Sequence, residues 1–321
     1  MTAKDFEREV AASQGKPGTY PRDIRFAVEG EGDTVRAELV GSFDKKNVRR
    51  IDPWTLAYLV ELRERCGGEP ARRVVLSLNP GAKKDRQFNL NFESLRRRAS
   101  FLALNNPEIT FVLALDGKPV ALYDKESLLH PSGNEVIRSS ISERSEEAAP
   151  NLLEKAFQSF LYGKGMESRT NDRLAVLGED FYQMKGKDVG ILREFPTGAF
   201  DGFVSDATQV MPTESIDLVT QNKWGNLALV ELKVDNSELE VISQVLDYGL
   251  YVIRYRDLIA GLPEVAAVFD EDKVRHADIF CYVANNRFHP RFAGIQRFYH
   301  VGTKSYGFCL KKIILGETTE I

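Results

Sequence analysis

Ser215-Ile-Asp-Leu-Val219 and Leu227-Ala-Leu-Val-Glu-Leu-Lys233 are two apolar runs joined through Gln221–Asn226, with Gly225 near the tip. Their length and punctuation predict two strands of a β-hairpin. Side chains alternate along a strand, so Glu231 and Lys233 project from one face while Leu232 points the other way into a core. With the turn centred near Trp224, Asp217 lies across from Glu231, and opposed residues share a face with Cβ atoms about 4.5–5.5 Å apart. One patch of sheet therefore presents two carboxylates and one ammonium.

Two carboxylates that close repel each other, and a purely structural sheet avoids the arrangement. A divalent cation removes the conflict. Mg²⁺ prefers oxygen ligands, keeps several waters, and is commonly held by one or two carboxylates together with a substrate phosphate. A lysine beside it would orient or deprotonate an attacking water, or neutralise charge building on a phosphorane. Glu-x-Lys at a strand end is by itself usually a solvated face. The elements around it give it more weight.

Working outward, a long helix is expected from about Ser237, with Glu240 completing a capping box and Val241, Val245, Tyr248 and Val252 on one face. Gln244 and Tyr248 are four apart and share a helix face. Upstream, Asn151–Leu161 reads as a helix carrying Glu154, and downstream 277–283 and 307–315 read as strands. The fold class is α/β.

Asp217, a gap, Glu231-Leu232-Lys233 at the end of an apolar strand, and then Gln244-x-x-x-Tyr248 on the following helix resemble the PD-(D/E)XK nuclease superfamily, in its RecB-like branch. The order is similar to that of NucS-type and Shedu-type nuclease domains and spans residues 151–255. The resemblance implies a restriction-endonuclease-like core, a mixed central sheet flanked by helices. It implies Mg²⁺, with Mn²⁺ able to substitute, on Asp217, Glu231 and the main-chain carbonyl of Leu232, with Glu154 as an added acidic ligand. It implies catalysis by Lys233 with support from Gln244 and Tyr248, and DNA as the substrate. Ile216 stands where the superfamily's name has proline, a position that varies widely. Glu167 and Glu179 compete with Glu154 for the upstream role, and the bland reading of Glu154 is a surface carboxylate beside Lys155.

The remainder of the 321 residues reads as a separate α+β N-terminal domain over 1–140, a polar linker at 141–150, and the nuclease-like domain over 151–321. In the first domain Asp52-Pro53 reads as the start of a helix running to Arg65, 73–78 and 109–115 as strands, and Asp116-Gly117 as a turn returning through Val120–Tyr123. Net charge is −4, split as +3 over residues 1–140 and −7 over the rest. An acidic half argues modestly against broad affinity for nucleic acid, although carboxylates gathered for a cation add to the same count.

Three basic clusters, Lys45-Lys46 with Arg49-Arg50, Lys83-Lys84 with Arg86, and Arg96-Arg97-Arg98, are candidates for phosphate contact. Charge runs are more often solvated, and Phe92 and Phe101 beside the last are better read as core. Cys66, Cys281 and Cys309 are too few and too scattered for a disulfide framework or a zinc site, and His130, His276, His289 and His300 show no metal-ligand spacing. With neither a leader-like nor a membrane-spanning apolar run, the expected location is the cytoplasm, with no membrane partner. Self-association into a homo-oligomer is left open. A nuclease-like scaffold that binds nucleic acid or a partner protein without cutting is the alternative from another class, and an RNA-directed enzyme is a third.

Overall fold

Val74-Val-Leu-Ser-Leu78 is buried along its whole length, the signature of a strand covered on both faces. It sits at the centre of the first of two units in the computed structural model, which describes residues 1–16, 18–30, 32–67, 71–82, 84–138, 152–163, 173–181, 189–302 and 307–315. The first unit comprises residues 1–129 together with 238–247 and 289–299; the second comprises 130–237, 248–288 and 300–321. The first unit thus takes in two segments that a linear division at residue 140 assigns to the second. The expected linker at 141–150 lies outside the described residues, as do Lys83 and Glu167.

The first unit runs α1 (Ala3–Ser13), β1 (Ile24–Glu29), β2 (Thr34–Leu39), α2 (Lys45–Cys66), β3 (Arg73–Leu78), α3 (Arg86–Asn105), β4 (Thr110–Leu115), β5 (Lys118–Val120) and α4 (Lys125–Leu129). Its sheet has the order β1-β2-β3-β4-β5. β2, β3 and β4 are parallel, while β1 and β5 are antiparallel edges. Parallel neighbours need crossovers, and α2 and α3 supply them. The centre of this unit is therefore an alternating strand–helix–strand arrangement rather than the segregated α+β layout expected.

The helix expected from Asp52-Pro53 begins a full two turns earlier. Asp44 is its N-cap, accepting from the Asn47 N–H at 2.9 Å, and Pro53 lies inside the helix, where its missing N–H forfeits one helical bond. Asp52 has another task. It is fully buried and receives Arg98 Nε and Nη2, each at 3.1 Å, and the Ser243 hydroxyl at 2.9 Å. Arg98, also without exposure, places Nη1 3.0 Å from Asp247.

This burial corrects the reading of the third basic cluster. Arg98 and Arg97 are buried, and Arg96 donates to the Ala121 carbonyl and stacks over Tyr123. Lys46 pairs with Glu238, Arg49 with Asp247, Arg50 with Asp23 and Glu240, and Lys84 with Asp116. Phe92 and Phe101 are core, as expected. Lys46, Arg49, Arg50 and Lys84 thus each neutralise an acid of their own unit.

The second unit contains β6 (Glu135–Ile137), α5 (Leu152–Tyr162), β7 (Leu192–Pro196), β8 (Ala199–Asp201), β9 (Gln209–Met211), β10 (Ser215–Gln221) and β11 (Leu227–Lys233). Then α6 (Glu240–Ala260) gives its first half to unit one and its second half to unit two. It is followed by α7 (Pro263–Ala266), α8 (Glu271–His276) and β12 (Ile279–Asn285). After α9 (Phe292–Gln296), which belongs to unit one, come β13 (His300–Gly302) and β14 (Gly307–Ile314). β6, β8 and β9 form a small antiparallel sheet, and the main sheet has the order β13-β14-β12-β11-β10-β7. β11, β12 and β14 are parallel, while β7, β10 and β13 run antiparallel to their neighbours.

One face of this sheet is closed by a core of Leu161, Leu177, Phe181, Leu218, Val230, Leu232, Tyr282 and Ile313. The other face carries Leu229 and, beside it, Cys281. There Gly249 of α6 comes so close that an added Cβ would lie 2.2 Å from the Phe308 ring and 3.1 Å from the Cys281 sulfur. α6 starts at Glu240 rather than Ser237. The preceding residues are engaged elsewhere: Asp235 takes φ 56° and exchanges hydrogen bonds with Asn286, and the Asn236 carbonyl accepts from Asn285. The expected apolar face of Val241, Val245, Tyr248 and Val252 is buried. No described helix is long and apolar enough to cross a membrane.

Candidate active site

β10 and β11 pair from Gln221↔Leu227 at the turn to Leu218↔Val230. The Asn222 side-chain oxygen accepts from the N–H groups of Trp224 and Asn226, and Gly225 takes φ 81°, so the turn is the one its residues foretell. One step beyond the last pair, Asp217 stands opposite Glu231. There the ladder stops. Ser215 and Ile216 still pair with β7, but the Leu232 N–H no longer has a β10 carbonyl and instead donates to Asp217 Oδ2 at 2.7 Å. A strand residue turns its N–H and C=O to the same side. The Leu232 carbonyl is therefore presented on the Asp217 side of β11.

Glu231 is almost completely buried, and Lys233, two residues on and on the same face, places Nζ 2.6 Å from Glu231 Oε1. Desolvation raises the Asp217 carboxyl well above the usual carboxylate range, and the Glu231 charge adds to it. The Lys233 ammonium and the Leu232 N–H oppose the rise without cancelling it. For Lys233, desolvation lowers the ammonium's pKa, but the Glu231 charge and hydrogen bond more than offset that, and the net shift is upward. The site thus holds a stable cation between carboxylates that resist being charged together.

Glu154, on the first turn of α5, is near enough for its charge to act on both Asp217 and Lys233. Its Oε1 accepts from the Val234 N–H at 2.9 Å. Among the described residues no group of three or more His, Cys, Asp or Glu side chains is arranged to hold a metal ion. Glu154 Oε1 is engaged with main chain, and Asp217, Glu231 and the Leu232 carbonyl are left as the candidate oxygen set. Two carboxylates and a carbonyl suit a cation that keeps most of its waters. Glu179, the other described competitor, lies by the hairpin turn, 3.4 Å from Lys223.

Tyr248 is buried and donates its hydroxyl to the Ser215 carbonyl at 2.9 Å, two residues before Asp217. It steadies β10 at its site end. Gln244 is half-buried one helical turn earlier, in the part of α6 that belongs to the first unit.

No family model matches the chain, and comparison with curated proteins and with solved structures gives no match. The site is argued from its own geometry.

Two of its residues are missed in the sequence reading. Gln158, one turn after Glu154, donates Nε2 to the Asp217 carbonyl at 2.9 Å, and its Oε1 accepts from Arg193 Nε at 3.0 Å. Glutamine on an amphipathic helix reads as surface. The one available signal is its spacing of four from Glu154, which puts both on one helix face.

Proposed function

We propose that the chain is a metal-dependent nuclease that hydrolyses phosphodiester bonds, with DNA as its substrate, on a restriction-endonuclease-like core. The observation that carries this reading is the end of the β10–β11 hairpin. There Asp217 fills the gap opened beyond Leu218↔Val230, opposite a buried Glu231 already paired to Lys233. Supporting it are the mixed main sheet, with the antiparallel hairpin on one side and parallel strands on the other, and the Tyr248 contact to β10.

Asp217 and Glu231 would hold Mg²⁺, joined by the Leu232 carbonyl. The cation they would hold would supply acidification of water and stabilisation of charge developing on a phosphoryl oxygen. The residues of the chain divide the remaining work. Asp217 is held in rotation by the Leu232 N–H, which fixes which oxygen stays free. Beside Glu231 the Lys233 ammonium holds its proton more firmly than a free lysine does. In that form it would orient the attacking water or neutralise the phosphorane by charge and hydrogen bonding. Leu232 packs on the opposite face in the core and locks the register that keeps Glu231 and Lys233 together.

The test is a substrate panel. Wild-type protein with Mg²⁺ or Mn²⁺ is expected to cut linear, circular or single-stranded DNA, and to stop when the cation is chelated. Cleavage confined to RNA would move the reading to an RNA-directed enzyme, and no cleavage of any substrate would favour the non-cutting scaffold.

A further inference from the structure

We infer that Glu154 and Gln158 are positioning residues that clamp the open end of the hairpin, Glu154 through main chain rather than as a metal ligand. The inference rests on reading Asp217, Glu231 and Lys233 as a cleavage centre. Beyond Leu218↔Val230 the two strands no longer satisfy each other, so the N–H groups of Leu232 and Val234 need other partners, and on the opposite side of β10 the ladder to β7 skips Asp217, which leaves its carbonyl to find one too. The Leu232 N–H goes to Asp217, the Asp217 carbonyl to Gln158, and the Val234 N–H to Glu154. Gln158 and Glu154 lie four apart on α5, so one helix face grips β10 at Asp217 and β11 immediately after Lys233.

The Gln158 amide has only one workable orientation. Arg193 can only donate, so it claims the amide oxygen and turns the NH₂ toward the Asp217 carbonyl. Gln158 is only 4% exposed, so water cannot readily replace either bond. The chain Arg193–Gln158–Asp217 sets the pitch of β10 where the carboxylate leaves it. Glu154 likewise sets the position of the peptide that follows Lys233. Neither side chain needs to touch substrate to do this.

Conservative variants separate a clamp from a ligand. Glu154→Gln keeps an oxygen for the Val234 N–H but loses the charge a cation needs. Glu154→Ala loses both, and Gln158→Leu removes the link from Arg193 to Asp217. Cleavage kinetics, the Mg²⁺ concentration for half-maximal rate, and amide exchange over residues 230–235 are measured on each. Glu154→Gln is expected within about threefold of wild type, while Glu154→Ala and Gln158→Leu lose about tenfold or more in kcat. KM and the Mg²⁺ requirement should stay unchanged, with faster exchange at Leu232 and Val234 in the two disruptive variants.

A Glu154→Gln enzyme as impaired as Glu154→Ala, with a raised Mg²⁺ requirement, would make Glu154 a ligand and overturn the inference. Should wild type cut nothing, the cleavage reading fails separately and exchange alone decides the clamp. Protection at Val234 that survives Glu154→Ala would then sink it. Melting curves guard against misfolding, and Glu154→Gln is the variant least exposed to it.

Discussion

The Leu232 N–H, two residues past the last paired position on β11, donates to the carboxylate of Asp217, one residue past it on β10, at 2.7 Å. A side chain from one strand thus completes the hydrogen bonding of the other, and the two strands part just beyond it. Replacing Asp217 therefore has two consequences, a lost candidate ligand and an orphaned main-chain donor. Asp217→Asn keeps an acceptor for Leu232 and is the variant that isolates the first.

Removing the Lys233 ammonium takes away the cation 2.6 Å from the buried Glu231 carboxylate. Lys233→Met is expected to destabilise the protein by roughly 3 kcal/mol, and Glu231→Gln in the same chain should restore much of that loss. Denaturant unfolding of the two single variants and the double variant checks it. Equal, additive losses would mean that the pair is not coupled.

Cation binding should depend on pH in a definite direction. Asp217 is held protonated above the usual carboxylate range, and a cation needs it ionised, so binding must release a proton. The rise in melting temperature caused by Mg²⁺ should therefore grow as pH is raised. In Asp217→Asn that pH dependence should collapse. A larger shift at the lower pH would contradict the assignment.

In the first unit Arg98 serves two buried or nearly buried carboxylates, Asp52 and Asp247, and the Val48 carbonyl. Arg98→Met strands Asp52 in the core and is expected to cost about 3–5 kcal/mol of stability. Arg98→Lys should recover little, because one ammonium cannot reproduce the fork that meets Asp52 through two nitrogens. Unfolding curves decide it, and a near-neutral Arg98→Met would show that the network contributes no stability.

Glu240 carries a pH dependence of opposite sense to ordinary acid unfolding. Desolvation and a hydrogen bond with Glu238 raise its carboxyl from 4.5 to about 7, against the pull of Arg50. The folded chain therefore binds this proton more tightly than the unfolded one. The stabilisation is complete below the unfolded value and is lost as pH rises through about 7, by about 1–3 kcal/mol. Glu240→Gln should remove that slope between about pH 5 and 7. A slope that persists would place the titration elsewhere.

The hairpin was legible because its information is local. Alternation sets the faces, Gly225 and Asn222 set the turn, and Leu232 sets the register, so Asp217, Glu231 and Lys233 could be placed together before any tertiary contact was known. The mixed α/β character followed from the same kind of pattern. What escaped depends on distant residues. Asp52-Pro53 looked like a helix start, yet Asp52 is kept for Arg98, 46 residues away, while Asp44 does the capping. Arg96–Arg98 looked like a basic run, but a run of letters does not say which guanidinium faces inward. Gln158 looked like surface because its two partners, on β7 and β10, lie 35 and 59 residues further along the chain. Residues 238–247 and 289–299 join the first unit for the same non-local reason.

The most direct measurement is cleavage of DNA by wild type, Asp217→Asn, Glu231→Gln and Lys233→Ala side by side, each with Mg²⁺ and each with chelator. Wild type should cut only with the cation, and each variant should lose about two to three orders of magnitude or more while keeping its fold. Cleavage that survives Lys233→Ala or chelation at the wild-type rate would contradict the assignment of the hairpin as the catalytic centre.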